Sequence, residues 1–289
     1  MTDYLKLAQD IVNRASTDDK QVEAFINEDK STQIRIDRGE VEQLSQSGSK
    51  GLGVRVIDGG KVGYAFTSDF SDESIQKTID TAIELCQVAT PDDNRTLPAL
   101  QDIPDEDLEI FDPDFENITT EQKIEVVKRV EKATYDADSR IIHAQSNYSD
   151  SLSATYLANS NGFAGSYKRT AVFAYTMVTA RDEDLNDQAM GMGLSSSNFF
   201  SEIDPEAVGK EGAYKATLTL GGKPVPTQKA SVVFDHFAMG QIIAMLAFAM
   251  KGDALQRGQS FLIGKQGQEI GSDKVTLMDN GRMKRGMGS

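Results

Sequence analysis

Apolar residues recur at helical spacing near the start of the chain, where Leu5, Ala8, Ile11 and Val12 share one face, so residues 4 to 15 read as an amphipathic helix. The pattern then changes period. Alternating or β-branched runs, "VEAFIN", "TQIRID", "VEQLSQ" and "GLGVRVIDGGKVGYAFT", predict four short strands, and Asp58-Gly59-Gly60 within the last run is a hairpin turn signal. Helical spacing returns after Ser71, a capping residue followed by Asp72 and Glu73, with Ile75, Ile79, Ala82, Ile83 and Cys86 on one side. Between Thr90 and Pro113 periodicity fades into an acidic stretch with four prolines, which reads as a boundary.

Beyond that boundary the same alternation repeats. Thr119 and Gln122 form a capping-box pattern ahead of a helix with Val126, Val130, Ala133 and Ala137 on one stripe. "RIIHAQSNYSD", "LSATYLANS" and "KRTAVFAYTMVTA" read as strands, the last two joined at Asn161-Gly162. Asp204 caps a helix with Pro205 at its first position, running through Ala207, Tyr214 and Leu218 to Gly221-Gly222. The expected architecture is α+β: two mostly antiparallel sheet-plus-helix units, at residues 1–100 and 114–225, followed by the start of a third, β-rich domain at 226–289.

Composition narrows the function classes. The 289 residues, 39% hydrophobic, have room for about two domains with real cores. The longest apolar run, Ile242 to Met250, is less than half of the ~20 residues a membrane span needs. The N-terminus carries an acid where a signal peptide would be cationic, and the single cysteine, Cys86, cannot form an internal disulfide; both point to a cytoplasmic setting. A net charge of -15 has the wrong sign for gripping phosphate backbones, and the one cationic cluster, "GRMKRG", reads as a solvated loop.

Candidate chemistry is sparse. Phosphate loops, dinucleotide fingerprints, nucleophile elbows and C-x-x-C pairs are absent, and "GLGVRV" sits in a hairpin instead of a strand-to-helix turn. The two histidines, His143 and His236, lack H-E-x-x-H spacing. A zinc site assembled from His143, His236 and Cys86 is weighed against structural roles for each, and the spacing favours the structural roles. Asp182, Glu183 and Asp184 read as a charged surface loop.

Four separated blocks, "GLGVRVIDGGKVGYAFTSDFS", "NSNGF", "IDPEAVGKEGAYKATLTLGG" and "VPTQKASVVFD", with "GDALQRGQSFL" and "KQGQEIGSDKVTLMDNG" after them, resemble the TldD/PmbA family, in particular its PmbA (TldE) branch. That resemblance implies a metallopeptidase system acting on peptides or partly unfolded proteins. In it a TldD-type subunit with an H-E-x-x-x-H zinc helix pairs with a PmbA-type subunit, so a dimer is expected. Counting back from Gly252-Asp253, the family's metal-helix positions fall on Ile243, Ala244 and Phe248. None offers a lone pair to a metal or a carboxylate to a bound water. The chain is therefore expected to hold no metal or cofactor of its own, to have no catalytic residue at these positions, and to be the non-catalytic partner, with zinc in the catalytic paralogue. The alternatives are a self-sufficient metallopeptidase with ligands elsewhere, or a peptide-binding module with no proteolytic partner. The apolar helix then reads as core, with Phe248 and Met250 filling volume. The chain also ends within what resembles the middle of the family's third domain, so an incomplete third domain is expected, leaving apolar surface on that helix.

Overall fold

A computed structural model of the chain describes residues 3–16, 20–100 and 106–289. Two compact units are present: one runs to Gly222 and takes back Gly281–Ser289, and the other is Lys223–Asn280.

The first unit is built twice from one pattern. Helix α1 (Tyr4–Ala15) precedes β1 (Gln21–Asp37), β2 (Glu40–Asp58), β3 (Lys61–Thr67) and α2 (Asp72–Val88). After the acidic segment, α3 (Thr120–Ala137) precedes β4 (Ile141–Asn159), β5 (Ala164–Asp182), β6 (Asp187–Ser197) and α4 (Pro205–Leu218). The strands join into one sheet of order β3-β2-β1-β4-β5-β6, every pairing antiparallel. Each of the two sheet-and-helix segments expected from sequence thus contributes three strands, and β1 against β4 unites them.

Caps and turns follow the local chemistry. The Ser71 and Asp204 side chains accept from the backbone N–H groups of Ser74 and Ala207, and Thr119 and Gln122 form the reciprocal capping box. Two-residue turns join the strands at Arg38-Gly39 (φ 52° and 80°) and Gly59-Gly60 (φ 53° and 78°), the left-handed pair that matches strand twist. Only the second was legible as a turn.

All four helices cover one face. Even-numbered residues of β1 and β4 point towards them, and odd-numbered ones such as Phe25, Asn27, Ser149 and Ser151 point away. At one end of β1 the core holds Val22, Ala24 and Ile26 with Val54, Val56, Ile75 and Ile79. At its other end Ile34 and Ile36 join Tyr148, Leu152, Val127 and Val172. The polar belt between these cores explains one departure from expectation: "VEAFIN" and "TQIRID" are one strand, as are "VEQLSQ" with "GLGVRVID" and "RIIHAQSNYSD" with "LSATYLANS".

Glycine sets the closest approaches of helix to sheet. A Cβ at Gly63 of β3 would lie 1.9 Å from the Ala82 carbonyl oxygen of α2, and one at Gly193 of β6 would lie 2.0 Å from the Val208 carbonyl oxygen of α4. The two halves therefore seat their second helix on the third strand by the same device. Helix α4 buries a small-residue face of Val208, Gly209, Gly212, Ala213 and Ala216, while Tyr214 and Leu218 are exposed.

In the second unit α5 (His236–Met250) and α6 (Gly252–Gln256) are followed by turns. The β-rich character expected there is not seen: the described residues of this unit contain no strand.

Candidate functional site

Helix α5 carries the positions that correspond to a metal helix by resemblance. Asp235 caps it, its carboxylate accepting from the Ala238 N–H at 2.7 Å. The core reading of this helix does not hold: Ile243 is 36% and Phe248 55% exposed, Ala244 is exposed, and Ala249 is the helix's buried residue. The helix is apolar on all sides instead of along one stripe, and its unit supplies no sheet to pack it. The exposed apolar surface also expected for it is what the structure shows. Around Ile243, Ala244 and Phe248 the chemistry is hydrocarbon, with the Lys251 ammonium 5.4 Å from the Phe248 ring centre. These residues do not fit a metal ion, which needs nitrogen, oxygen or sulfur donors.

Cys86 and His143 lie at opposite ends of the sheet. Cys86 is buried in α2 over Gly63, its thiol donating to the Lys61 carbonyl oxygen at 3.2 Å. His143, on β4, sits with Nδ1 3.5 Å from Asp37 Oδ1 at the far end of β1. From Val22, level with Gly63, to Asp37 is about 50 Å of strand, so the two cannot share an ion. His236 opens α5 in the other unit. Among the described residues no group of three or more His, Cys, Asp or Glu is placed to hold a metal. Asp182, Glu183 and Asp184 form the β5–β6 turn region. The "GRMKRG" segment is not simply solvated: Lys284 lies 3.5 Å and Arg282 3.8 Å from Glu106, and Arg285 pairs with Glu202 and stacks 4.7 Å from the Phe199 ring.

Sequence reasoning missed the most enclosed ion pair among the described residues. The Lys123 ammonium of α3 lies 2.6 Å from the Asp150 carboxylate of β4, with the two side chains 8% and 1% exposed. Lys123 also donates to Thr32 Oγ1 at 3.2 Å and faces the Phe115 ring at 5.2 Å. Asp150 accepts from the Thr32 N–H at 3.1 Å and the Tyr148 hydroxyl at 2.7 Å. Burial, together with the neighbouring Asp150 charge, pushes the Tyr148 phenol well above its ordinary pKa, which keeps it a donor. The signal was present: Lys123 stands three, four and seven residues before Val126, Val127 and Val130, and Asp150 is in phase with Tyr148 and Leu152.

Above this pair opens a cavity of about 460 Å³ lined by Thr32, Gln46, Gly48, Phe115, Lys123 and Asp150. Lys30 and Glu116, paired at 2.7 Å, also line it. Because every charge at the floor is matched, the cavity presents a polar, electrically balanced surface without a free base or nucleophile. It offers a surface to bind or pack against.

Comparison with known proteins places these elements in a family. Residues 22–86 match the PmbA/TldA metallopeptidase domain 1, residues 113–220 its central domain, and residues 227–289 its C-terminal domain. The chain is 26% identical over 271 residues to the metalloprotease PmbA homolog of Buchnera aphidicola subsp. Acyrthosiphon pisum, covering 93% of this chain and 60% of that protein. It is 26% identical over 259 residues to metalloprotease PmbA of Escherichia coli O157:H7, covering 87% and 56%. The chain therefore spans little more than half the length of these relatives. TldE from Thermococcus kodakarensis superposes with a TM-score of 0.71 at 15% identity, covering 91% of this chain and 57% of that one, a likeness of fold.

Proposed function

Because the chain belongs to the PmbA/TldD metallopeptidase family, we propose that it is the non-catalytic subunit of a cytoplasmic peptidase of that type, working beside a paralogue that carries an H-E-x-x-x-H zinc helix. The observation that carries this reading is the hydrocarbon at Ile243, Ala244 and Phe248, where a zinc peptidase needs two imidazoles and a carboxylate. TldD homologs are also among the relatives it matches, at 20% and 22% identity, which supports a partner of that kind. The substrates are peptides or partly unfolded proteins. No helix among the described residues is long and apolar enough to cross a membrane.

The test is co-purification. The chain, prepared without a metal-affinity tag, is expected to carry well below one zinc by elemental analysis and to leave peptides intact. Mixed with an H-E-x-x-x-H paralogue from the same genome, it is expected to form a complex that cleaves them. One zinc per chain, or cleavage without the paralogue, overturns the proposal.

A further inference from the structure

Strand β2 is paired along both edges over only part of its length. β3 covers Leu52–Asp58, whereas Glu40–Gly51 pairs with β1 alone, and no strand among the described residues lies on its outer side. Residues 41 to 50 are all exposed. Proteins normally guard such an edge with lysine, proline or a bulge, because its free N–H and C=O groups recruit other strands. Here the guards stand at the two ends. Glu42 is the bulged residue, skipped between the pairs Arg35↔Gln43 and Ile36↔Val41, and Lys50 closes the other end. Between them "QLSQSGS", Gln43 to Ser49, has neither charge nor proline in a chain whose net charge is -15.

We infer that this edge pairs with the same edge of a second copy of the chain, antiparallel about Gln46, to give one sheet continuous through a two-fold dimer. Three features select this occupant. The edge is electrically polar, with Glu40 and Glu42 at one end and Lys50 at the other, so antiparallel self-pairing sets the acidic end of each copy beside the basic end of its mate. Centring on Gln46 brings Leu44, 44% exposed, opposite Gly48, where no side chain competes for the space. Leu44, Gln46 and Gly48 share the face that carries the 460 Å³ cavity, and Gln46 and Gly48 line it, so the cavities of the two copies adjoin across the axis. The inference concerns the chain by itself and does not depend on the proposed peptidase role.

Cysteine cross-linking reads the register directly. Opposed residues in an antiparallel pair have Cα atoms about 4.5 to 5.5 Å apart, within disulfide reach. Gln46→Cys alone is expected to give a covalent dimer under mild oxidation. Gln43→Cys alone should not, but an equal mixture of Gln43→Cys and Ser49→Cys should. The wild-type chain, whose Cys86 is 3% exposed, is the uncross-linked control. Light scattering should report two chains for the wild type and one for Ser45→Lys/Ser47→Lys, which sets lysines opposite one another, with the melting temperature retained. A monomeric wild type, a dimer that resists cross-linking at position 46, or Gln43→Cys alone cross-linking as well as Gln46→Cys overturns the inference. So does an edge that stays monomeric and takes up only an added extended peptide.

Discussion

Under α1 and α2 the sheet buries an aliphatic cluster, Val22, Ala24, Ile26, Leu52, Val54 and Val56. The buried polar side chains nearby, Thr78 and Asn159, are turned to adjacent backbone groups. Under α3 and α4 the same arrangement of elements encloses Lys123, Asp150, Thr32, Tyr148, Ser146 and Thr176 among Val127, Val130, Leu152 and Val172. Ser146 donates to Thr176 at 3.1 Å, and the Thr170 hydroxyl links the Asp112 N–H to the Asn198 carbonyl oxygen. One backbone plan thus accepts two kinds of interior. An aliphatic interior is governed by volume and degrades in proportion to what is removed. A hydrogen-bonded ionic interior is all-or-none, because each partner removed leaves another desolvated and unmatched.

The sharpest way to break the comparison is Lys123→Met. It leaves Asp150, 1% exposed, with a buried charge held only by Thr32 and Tyr148, and should lower unfolding free energy by about 3 to 5 kcal/mol. Denaturant unfolding measures this, and a loss below 1 kcal/mol would show that the pair is already hydrated through the cavity. An Ile26→Val change in the aliphatic half is the matched control, expected at about 1 kcal/mol.

Second in size are Gly63→Ala and Gly193→Ala, which test the shared device of the two halves. Each added methyl meets a helix backbone oxygen, so each should destabilise by the upper end of about 1 to 3 kcal/mol. Similar losses support equivalent seating of α2 and α4. A harmless substitution at either site would mean that its helix can slide.

Caps come next. Ser71→Ala and Thr119→Ala each remove an N-terminal acceptor and should cost about 1 kcal/mol by thermal or denaturant melting. The two losses should be similar, since the bond from the Thr119 N–H to the Gln122 side chain does not need the threonine side chain.

The smallest effect is one of pH. Hydrogen bonds from the Arg140 side chain and backbone hold the Asp138 carboxyl at about 2, below its ordinary 3.8. A depressed folded-state value means stability present above the unfolded value and lost as pH falls from about 3.8 through about 2. Asp138→Asn should therefore lower the melting temperature slightly at neutral pH, with the difference from wild type vanishing near pH 2. A difference that persists at that pH would assign Asp138 a role other than its charge.

How much of this was legible depended on whether the signal was local. Caps at Ser71, Thr119 and Asp204, the apolar stripes of α1 and α2, and the Gly59-Gly60 turn are decided by neighbours in sequence, and they were read correctly. Strand length was not, because the polar belt between the two cores interrupts the alternation at Glu28 to Ser31 and again at Ser45 to Ser49. β6 gave no signal at all: its inward residues are Ala189, Gly191, Gly193 and Ser195, small because α4 rests on them. In α4 size is no guide to burial for the same reason: Tyr214 and Leu218 are exposed, and the glycines and alanines are the residues that pack. Helix α5 was misread through its apolarity, which states a preference for burial without supplying anything to be buried against. At the candidate site, Lys123 and Asp150 were not legible as a pair, because they stand on different elements, α3 and β4, and no local spacing joins them.

The junction of β1 with β4 pairs Glu23 with Asn159 and Asp37 with Gln145, residues more than a hundred positions apart. No local event can form that ladder. While the chain is being made, β1 can fold back on β2 within its own half, but its other edge has no mate until β4 has been translated. At 5 to 20 residues per second, the seventy-odd residues between the end of α2 and the end of β4 keep that edge waiting on the order of 4 to 14 s. Over that interval the seventeen-residue strand offers a long row of unpaired amides to any neighbouring nascent chain. Production of the first half alone prolongs that interval indefinitely, so it should accumulate as insoluble material where the paired halves remain in solution.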